Sequence, residues 1–466
     1  MEQLNGKKVV VIGTGIGGSG IAPLLAKEGA EVTVLERNDF PGGKAASFER
    51  EGFVYDTGVH WIARGEKGPL GEIADIVGAE VRFESLEPAM LFTAGEKTAT
   101  LYQNMDEDEA LDRLFEEIGV EPGNRSGAKA FFKDILRERS PEELKKLDHV
   151  SLSDYMQGFV EDEQLNRLID GFAGMYLVIS RRATSASEFI ICFSTQTREK
   201  RLSYPIGAMR AVPIAYLDAL EKMGGEVRYS VPVERILLED GKVRGVEAGG
   251  FIPADLVVSN TGVKETVDLA GRHNFPDDYL AMVDSLRLSF GAVSVKYALD
   301  TELVEHHLMC YFPDFRDEKL VERQASIFVP VPTAADPSLA PAGCQLVLAG
   351  SLAPPGLDEP EQADEVCQAI LDRVEATMQD LYPDIEKHVV WKIRTNTQYI
   401  ANISGRGSGE VIGVAQNRHQ VGDKRPSQFS PIEGLCFVGA DAGGRGIGTE
   451  MAADSVLNLW RTLRNK

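Results

Sequence analysis

The sequence predicts an α/β protein: a doubly wound, Rossmann-type nucleotide-binding domain interleaved with a mixed-sheet domain and a helical insertion. Three observations predict it. Residues 9–12 form an apolar run without alternation that ends in G-x-G-x-x-G at Gly13, Gly15 and Gly18, the pattern of a buried parallel strand meeting a phosphate-binding turn. Between Met105 and Thr195 the apolar residues recur at three and four, which is helical spacing. Near the C-terminus the strand-then-glycine texture returns at Gly434 to Asp441, ahead of a final helix. At 466 residues the chain exceeds a single core, so more than one domain is expected.

The first unit runs from Lys8 to Glu36. Gly13 permits a tight turn, Gly15 lets backbone approach a pyrophosphate, and Gly18 lets the helix pack close on the strand. The free N–H groups and dipole of the helix start attract the anion. Leu24 and Leu25, with the small Ala22 and Ala26, give that helix a packing face; Gly29 ends it and Val32 to Leu35 form a second strand. Glu36 closes the strand, ~20 residues beyond the turn, where a carboxylate accepts both ribose hydroxyls and repels a 2′-phosphate.

Composition narrows the function. Hydrophobic residues make up 43% and charged residues 26%, as in an ordinary globular protein. The net charge of −23, from 49 basic and 72 acidic residues, excludes a nucleic-acid surface and disfavours loose adhesion to anionic lipid. Five cysteines without C-x-x-C spacing fit a reducing compartment. With an early first strand, no charged-then-apolar leader and no long apolar run, a cytoplasmic protein is expected. No ligand spacing matches a metal site, and the pair His306 and His307 is expected at a surface or interface.

Just past Glu36, Pro41-Gly42-Gly43-Lys44 places a glycine pair where a simple NAD domain continues into its next helix, and Gly52-Phe53-Val54-Tyr55-Asp56-Thr57-Gly58-Val59-His60 follows as an extended, turn-rich segment. This order resembles the start of the FAD-dependent oxidoreductases of the phytoene desaturase, carotenoid isomerase and retinol saturase group; flavin amine oxidases share its first parts. The resemblance implies FAD, with Gly42 and Gly43 passing close to the phosphates and ribityl chain. It adds Gly17, Arg37, Lys44, Gly58 and Val59 to the cofactor contacts, and the backbone of Val233 as the partner of adenine. Gly439 and Asp441 are implied at the ribityl and pyrophosphate region, and Gly448 and Thr449 where the final helix points its N-terminus at the flavin N1–C2=O locus.

The sequence departs from the group at three places. Gly58-Val59-His60 stands where the desaturases carry Gly-Pro-Thr, and with Trp61 it is closer to the retinol saturase branch. Ala208 replaces a glycine, which implies a looser approach to the cofactor there. Arg445 replaces a small or apolar residue, either as a phosphate or substrate contact or as a surface arginine.

The middle of the chain reads as a helical insertion. The acidic run at 106–109 is expected to be a solvated helix start. Phe131, Phe132, Phe172, Met175, Tyr176 and Leu177 fit a core face, and by resemblance could cover a substrate channel or dip into a membrane. Tyr204 to Met209 marks the return to the nucleotide domain, followed by an amphipathic helix, Val212 to Met223, and three short β segments joined by Asp240-Gly241 and Gly249-Gly250 turns. Strand-like alternation at Ser289–Asp300, Gln324–Val331 and Cys344–Leu352, a helix near Gln362–Leu381 and a strand around Val389–Ile393 indicate a second domain. The expected division is 1–85, 200–285 and 425–466 for the FAD domain, 86–104 and 286–424 for the substrate domain, and 105–199 for the insertion.

The expected activity is flavin-dependent desaturation, saturation or isomerisation at C–C and C=C bonds of a lipophilic isoprenoid or polyene, by hydride transfer with flavin N5. His60 is the candidate acid or base. Expected partners are the lipophilic substrate and a transient membrane contact through the insertion. Two alternatives stay open: a flavin amine oxidase, and a non-catalytic, FAD-containing lipid-binding protein.

Overall fold

The computed structural model describes residues 4–58, 60–199, 202–314, 316–354, 360–446 and 448–465. Its first strand, β1 (Lys8–Ile12), is followed by α1 (Ile16–Lys27) and β2 (Glu31–Leu35). Three later strands, β3 (Glu226–Arg228), β4 (Leu256–Ser259) and β5 (Leu435–Phe437), complete a parallel sheet of order β5-β4-β1-β2-β3. Val9 and Val11 pack on one face against α1, the helix Ala211–Lys222 and the final helix α2 (Gly448–Asn465), through Leu24, Leu25, Tyr216, Leu220 and Val456. Val10 and Ile12 pack on the other face with Val246, Val257, Val267 and Phe437. Burial on both faces is why these strands do not alternate.

The stretch expected to hold three β segments holds five. The central ones, Arg235–Glu239, Lys242–Glu247 and Phe251–Pro253, form an antiparallel meander of their own, while the flanking two are β3 and β4. The short polar turns read equally well for either arrangement, so only tertiary pairing separates them.

A seven-stranded mixed sheet stands apart, in the order Val389–Thr395, Gly291–Leu299, Gln345–Ala353, Ile327–Pro330, Leu308–Phe312, Met90–Ala94, Lys97–Leu101. One face packs Val293, Val295, Tyr297, Val347 and Ala349 against Ile370, Leu371, Val374 and Met378 of the helix Pro360–Leu381. By the strand's two-residue period, Ser294 and Lys296 belong to the opposite face.

Residues 107–199 carry six helices: Glu107–Ile118, Arg125–Leu136, Pro141–Leu147, Leu152–Gln157, Glu163–Leu177 and Ala186–Glu199. Asp106 caps the first by accepting from the N–H groups of Asp108 and Glu109. Phe131, Phe132, Phe172, Tyr176 and Leu177 are buried in one cluster, with Met175 packed against it, so the six share a core face whose Met175 and Tyr176 also border a cavity. His307 corrects the surface assignment. It is buried, its Nε2 lies 3.0 Å from the carbonyl of Ala89, and its ring stands 5.4 Å from that of Trp61. Burial pushes its pKa below the ordinary value, so the neutral ring is favoured.

Candidate active site

One cavity of about 1210 Å³ begins at the C-terminal ends of β1, β2 and β4 and continues between the mixed sheet and the insertion. Of the sequence-predicted residues, Gly13, Gly15, Gly17, Glu36, Arg37, Gly42, Gly43, Lys44, Gly58, His60, Val233, Gly439, Asp441, Gly448 and Thr449 all line it. Val59 lies outside the described residues. Gly18 stands behind the wall: a Cβ there would come within 1.9 Å of the Gly13 carbonyl oxygen, so this glycine brings helix and turn together rather than touching the cavity.

The glycine pair is built into the same cradle. Gly42 adopts φ +106°, a conformation side chains avoid, and pairs with Gly15 in an isolated parallel bridge. Its N–H donates to Thr14 Oγ1 at 3.2 Å, and that hydroxyl donates to Glu36 Oε2 at 2.6 Å. The Thr14 N–H donates to the same oxygen at 2.9 Å and the Asn38 N–H to Glu36 Oε1 at 2.9 Å. Glu36 is thus a fixed acceptor in the cavity wall with lone pairs still to offer on Oε1. The segment carrying Val233 is held alongside by the Val231 N–H, which donates to the Glu36 carbonyl at 2.8 Å.

Asn260, which the sequence did not single out, closes the turn. It follows β4, and a Cβ at Gly15 or Gly17 would come within 2.7 or 2.3 Å of its side-chain amide. Any larger residue at either glycine would displace it. Because the narrow space is ringed by glycine backbone, a fixed carboxylate and a helix start, it fits a dinucleotide such as FAD.

Asp441 sits in a buried ionic cluster that sequence reasoning also missed. Arg406 Nη2 donates to Asp441 Oδ2 at 2.7 Å, and Arg406 Nε pairs with Glu410, whose Oε1 accepts from Lys44 Nζ at 3.1 Å. Asp441 also accepts from the N–H groups of Val263 at 3.1 Å and Val414 at 2.9 Å. Burial alone would raise its pKa; Arg406 and the two N–H donors outweigh that and bring it down to about 2. With Lys44 and Arg406 already offset by Glu410 and Asp441, a pyrophosphate here relies on the N–H groups at the start of α1.

Behind the extended segment, Asp56 accepts from Tyr204 Oη at 2.6 Å, Ser47 Oγ at 2.7 Å and the Met209 N–H at 3.1 Å. It ties the hairpin Ser47–Asp56 to the return segment, and burial lifts its pKa to about 6. Ala208 takes φ +71° in the core beside this junction and does not line the cavity. Arg445 is likewise off the wall, pairing with Asp148 at 3.2 Å and Glu188 at 3.4 Å and fastening the C-terminal glycine turn to the insertion.

From the mixed sheet the cavity wall carries Ser294 and Thr395, whose hydroxyls lie 2.7 Å apart. The fully buried Lys296 donates to both, at 2.9 and 3.2 Å. Burial lowers its pKa to about 8, which the charge of Asp56 only partly offsets. An alternating strand with lysine at an inward position, GAVSVKYAL, was the available sequence signal.

This fold and cradle define a dinucleotide-binding protein. The chain belongs to the flavin containing amine oxidoreductase family, whose model matches residues 21–455; it is an enzyme and its cofactor is FAD. It is 27% identical over 481 residues to the zeta-carotene-forming phytoene desaturase of Myxococcus xanthus, covering 93% of this chain and 90% of that one. Prolycopene isomerase 1 of an Oncidium hybrid is 25% identical, with 87% and 76% covered. Among solved structures, an oxidoreductase of Methanosarcina mazei superposes with a TM-score of 0.78 at 23% identity, over 97% of this chain and 100% of that one. Putrescine oxidase bound to putrescine gives 0.66 at 18% identity, over 98% of each. No described helix is long and apolar enough to cross a membrane.

Proposed function

We propose that this flavoenzyme forms, removes or shifts C=C bonds in a lipophilic isoprenoid or polyene. The observation that carries the reading is the continuity of the cavity from the glycine cradle into an arm walled by Met175, Tyr176, Leu202, Leu308, Cys310 and Phe328. A polar or doubly charged substrate would lose its hydration in such an arm without recovering it. The activities in the relatives' names, on phytoene and prolycopene, support the same class.

In this reading the cradle glycines, Glu36, Arg37, Lys44, Val59, Val233, Asp441 and Thr449 hold the cofactor, and the first, middle and last parts of the chain divide into domains at the boundaries given above. Bound FAD supplies hydride exchange at N5. The apolar arm aligns the chain and excludes water, and His60 holds or moves a proton at the inner end.

The test is to mix oxygen-free holoprotein with micellar phytoene, with prolycopene and with putrescine, following flavin bleaching and identifying products. A changed polyene is expected. Flavin bleaching by putrescine, with peroxide released once oxygen is readmitted and no polyene product, would make the protein an amine oxidase. A flavin that cannot be reversibly reduced would make it a binding protein.

A further inference from the structure

Resting on that reading, the far end of the cavity narrows the substrate class. The helix Pro360–Leu381 is strongly acidic, and Arg373 is its only basic residue. Its neighbouring carboxylates are engaged elsewhere: Asp372 with Arg394 at 2.6 Å, Glu375 with Lys392 at 3.0 Å, and Asp380 with Arg323 and, at 2.7 Å, with Gln324 Nε2. Among the described residues no carboxylate lies within ion-pair distance of Arg373 itself. Yet Arg373 and Ile370, one turn apart on the helix, both line the cavity.

The helix lies behind the mixed sheet, and the cavity reaches it beside the ends of two neighbouring strands, Ile327–Pro330 and Gln345–Ala353, which pair through Phe328 and Gly350. Ser326, just ahead of the first strand, and Leu352, near the end of the second, stand in the cavity wall. Thr377 accepts from the Ala325 N–H at 3.0 Å and fixes the helix to this end of the sheet. The other basic residues on the wall, Arg37, Lys44 and Arg406, belong to the cofactor cradle, where Lys44 and Arg406 are already paired.

We propose that this end of the cavity is a head-group site in which Arg373 receives the carboxylate of an amphipathic polyene or isoprenoid acid, while the hydrocarbon fills the arm toward the flavin. One guanidinium without a counter-charge matches one carboxylate, with two parallel N–H···O bonds. In a protein of net charge −23, the surrounding field repels anions, so a local cation without a counter-charge is what selects one. A diphosphate would call for more positive charge than this end supplies.

Binding of all-trans-retinoic acid, retinol and geranylgeranyl diphosphate to the holoenzyme, read by quenching of tryptophan fluorescence, tests the site, since Trp61 lines the cavity. The acid is expected to bind at least about tenfold more tightly than the alcohol. Arg373→Gln should erase that preference while retinol affinity stays within about twofold, and Arg373→Lys should retain part of it. Equal affinity for acid and alcohol in the unaltered protein, or an equal loss of both in Arg373→Gln, would overturn the head-group site alone. Tighter binding of the diphosphate would overturn the carboxylate assignment. Failure of both retinoids to bind would overturn the site together with the polyene reading.

Discussion

Thr14 gives Glu36 both its N–H and its hydroxyl, at 2.9 and 2.6 Å, and that same hydroxyl accepts the N–H of Gly42. One threonine thus orients the Glu36 carboxylate and anchors the glycine pair. Glu36→Ala removes a charged acceptor and is expected to weaken FAD by roughly ten- to a hundredfold. Thr14→Val keeps the shape and loses the hydroxyl, so a smaller loss is expected, about tenfold or less. Equilibrium titration of the apoprotein with FAD measures both. A Thr14→Val loss as large as that of Glu36→Ala would mean the hydroxyl acts on the cofactor directly.

Asp441 is held ionised by Arg406 inside the cavity wall, whereas Asp56 works behind it. Asp441→Ala should therefore release FAD faster than Asp56→Ala; the opposite order in a flavin-release assay would refute the assignment. Asp441 also makes a pH prediction. Its folded pKa, about 2, lies below the ordinary 3.8, so the unfolded chain binds the proton more readily and stability falls as pH drops from about 4 to 2. Asp441→Asn should lose roughly 2 kcal/mol at neutral pH, and its gap from the unaltered protein should shrink across that acid window.

The cofactor half of the site was legible because its demands fall on the backbone. Turns at positive φ and close approaches select glycine, and glycines at fixed spacing survive as a pattern in one sequence. The cluster around Asp441 left no such trace: Lys44 meets Glu410 across 366 residues, and an arginine in G-R-G-S has no spacing that announces it. The same is true of Asn260, whose role depends on where β4 ends against β1. His307 misled because paired histidines at the start of an unrecognised strand, Leu308–Phe312, read as polar surface. Its burial depends on the hairpin Met90–Leu101, whose first strand pairs with that one from far away in sequence.

Lys296 is kept charged at a cost. Its folded pKa of about 8 lies below the ordinary 10.5, so between those values the folded state binds fewer protons than the unfolded chain and stability rises with pH. Below about pH 8 the full penalty applies, about 3 kcal/mol for a shift of this size. Lys296→Met keeps the volume and leaves Ser294 and Thr395 bonded to each other at 2.7 Å. The variant should be more stable than the parent near pH 7, with the advantage fading above about pH 8. It should also turn over more slowly, since a group retained against stability behind two hydroxyls of the cavity wall is expected to act in the reaction. Chemical denaturation at several pH values, paired with steady-state rates, checks both. A variant that is stabilised and fully active would reduce Lys296 to a tolerated defect.

His60 lines the cavity in the segment that also brings Gly58 and Trp61 to its wall. An imidazole titrates near pH ~6.5 and can give or take a proton at a carbon centre, which saturation and isomerisation require and hydride transfer alone does not. His60→Thr installs the residue that the desaturases carry, keeping a small polar group and removing the titration. The variant is expected to bind FAD normally, because the cradle glycines and Glu36 lie elsewhere on the wall. Its substrate-dependent flavin reduction or oxidation should fall by roughly a hundredfold where proton transfer limits the rate, and the limb of the pH profile that the imidazole sets should disappear. Solvent isotope effects separate this from a positional role, since only a proton-transfer group changes them. Unchanged turnover with a confirmed polyene between about pH 5 and 8 would leave His60 as a loop residue and transfer the acid–base role to Lys296.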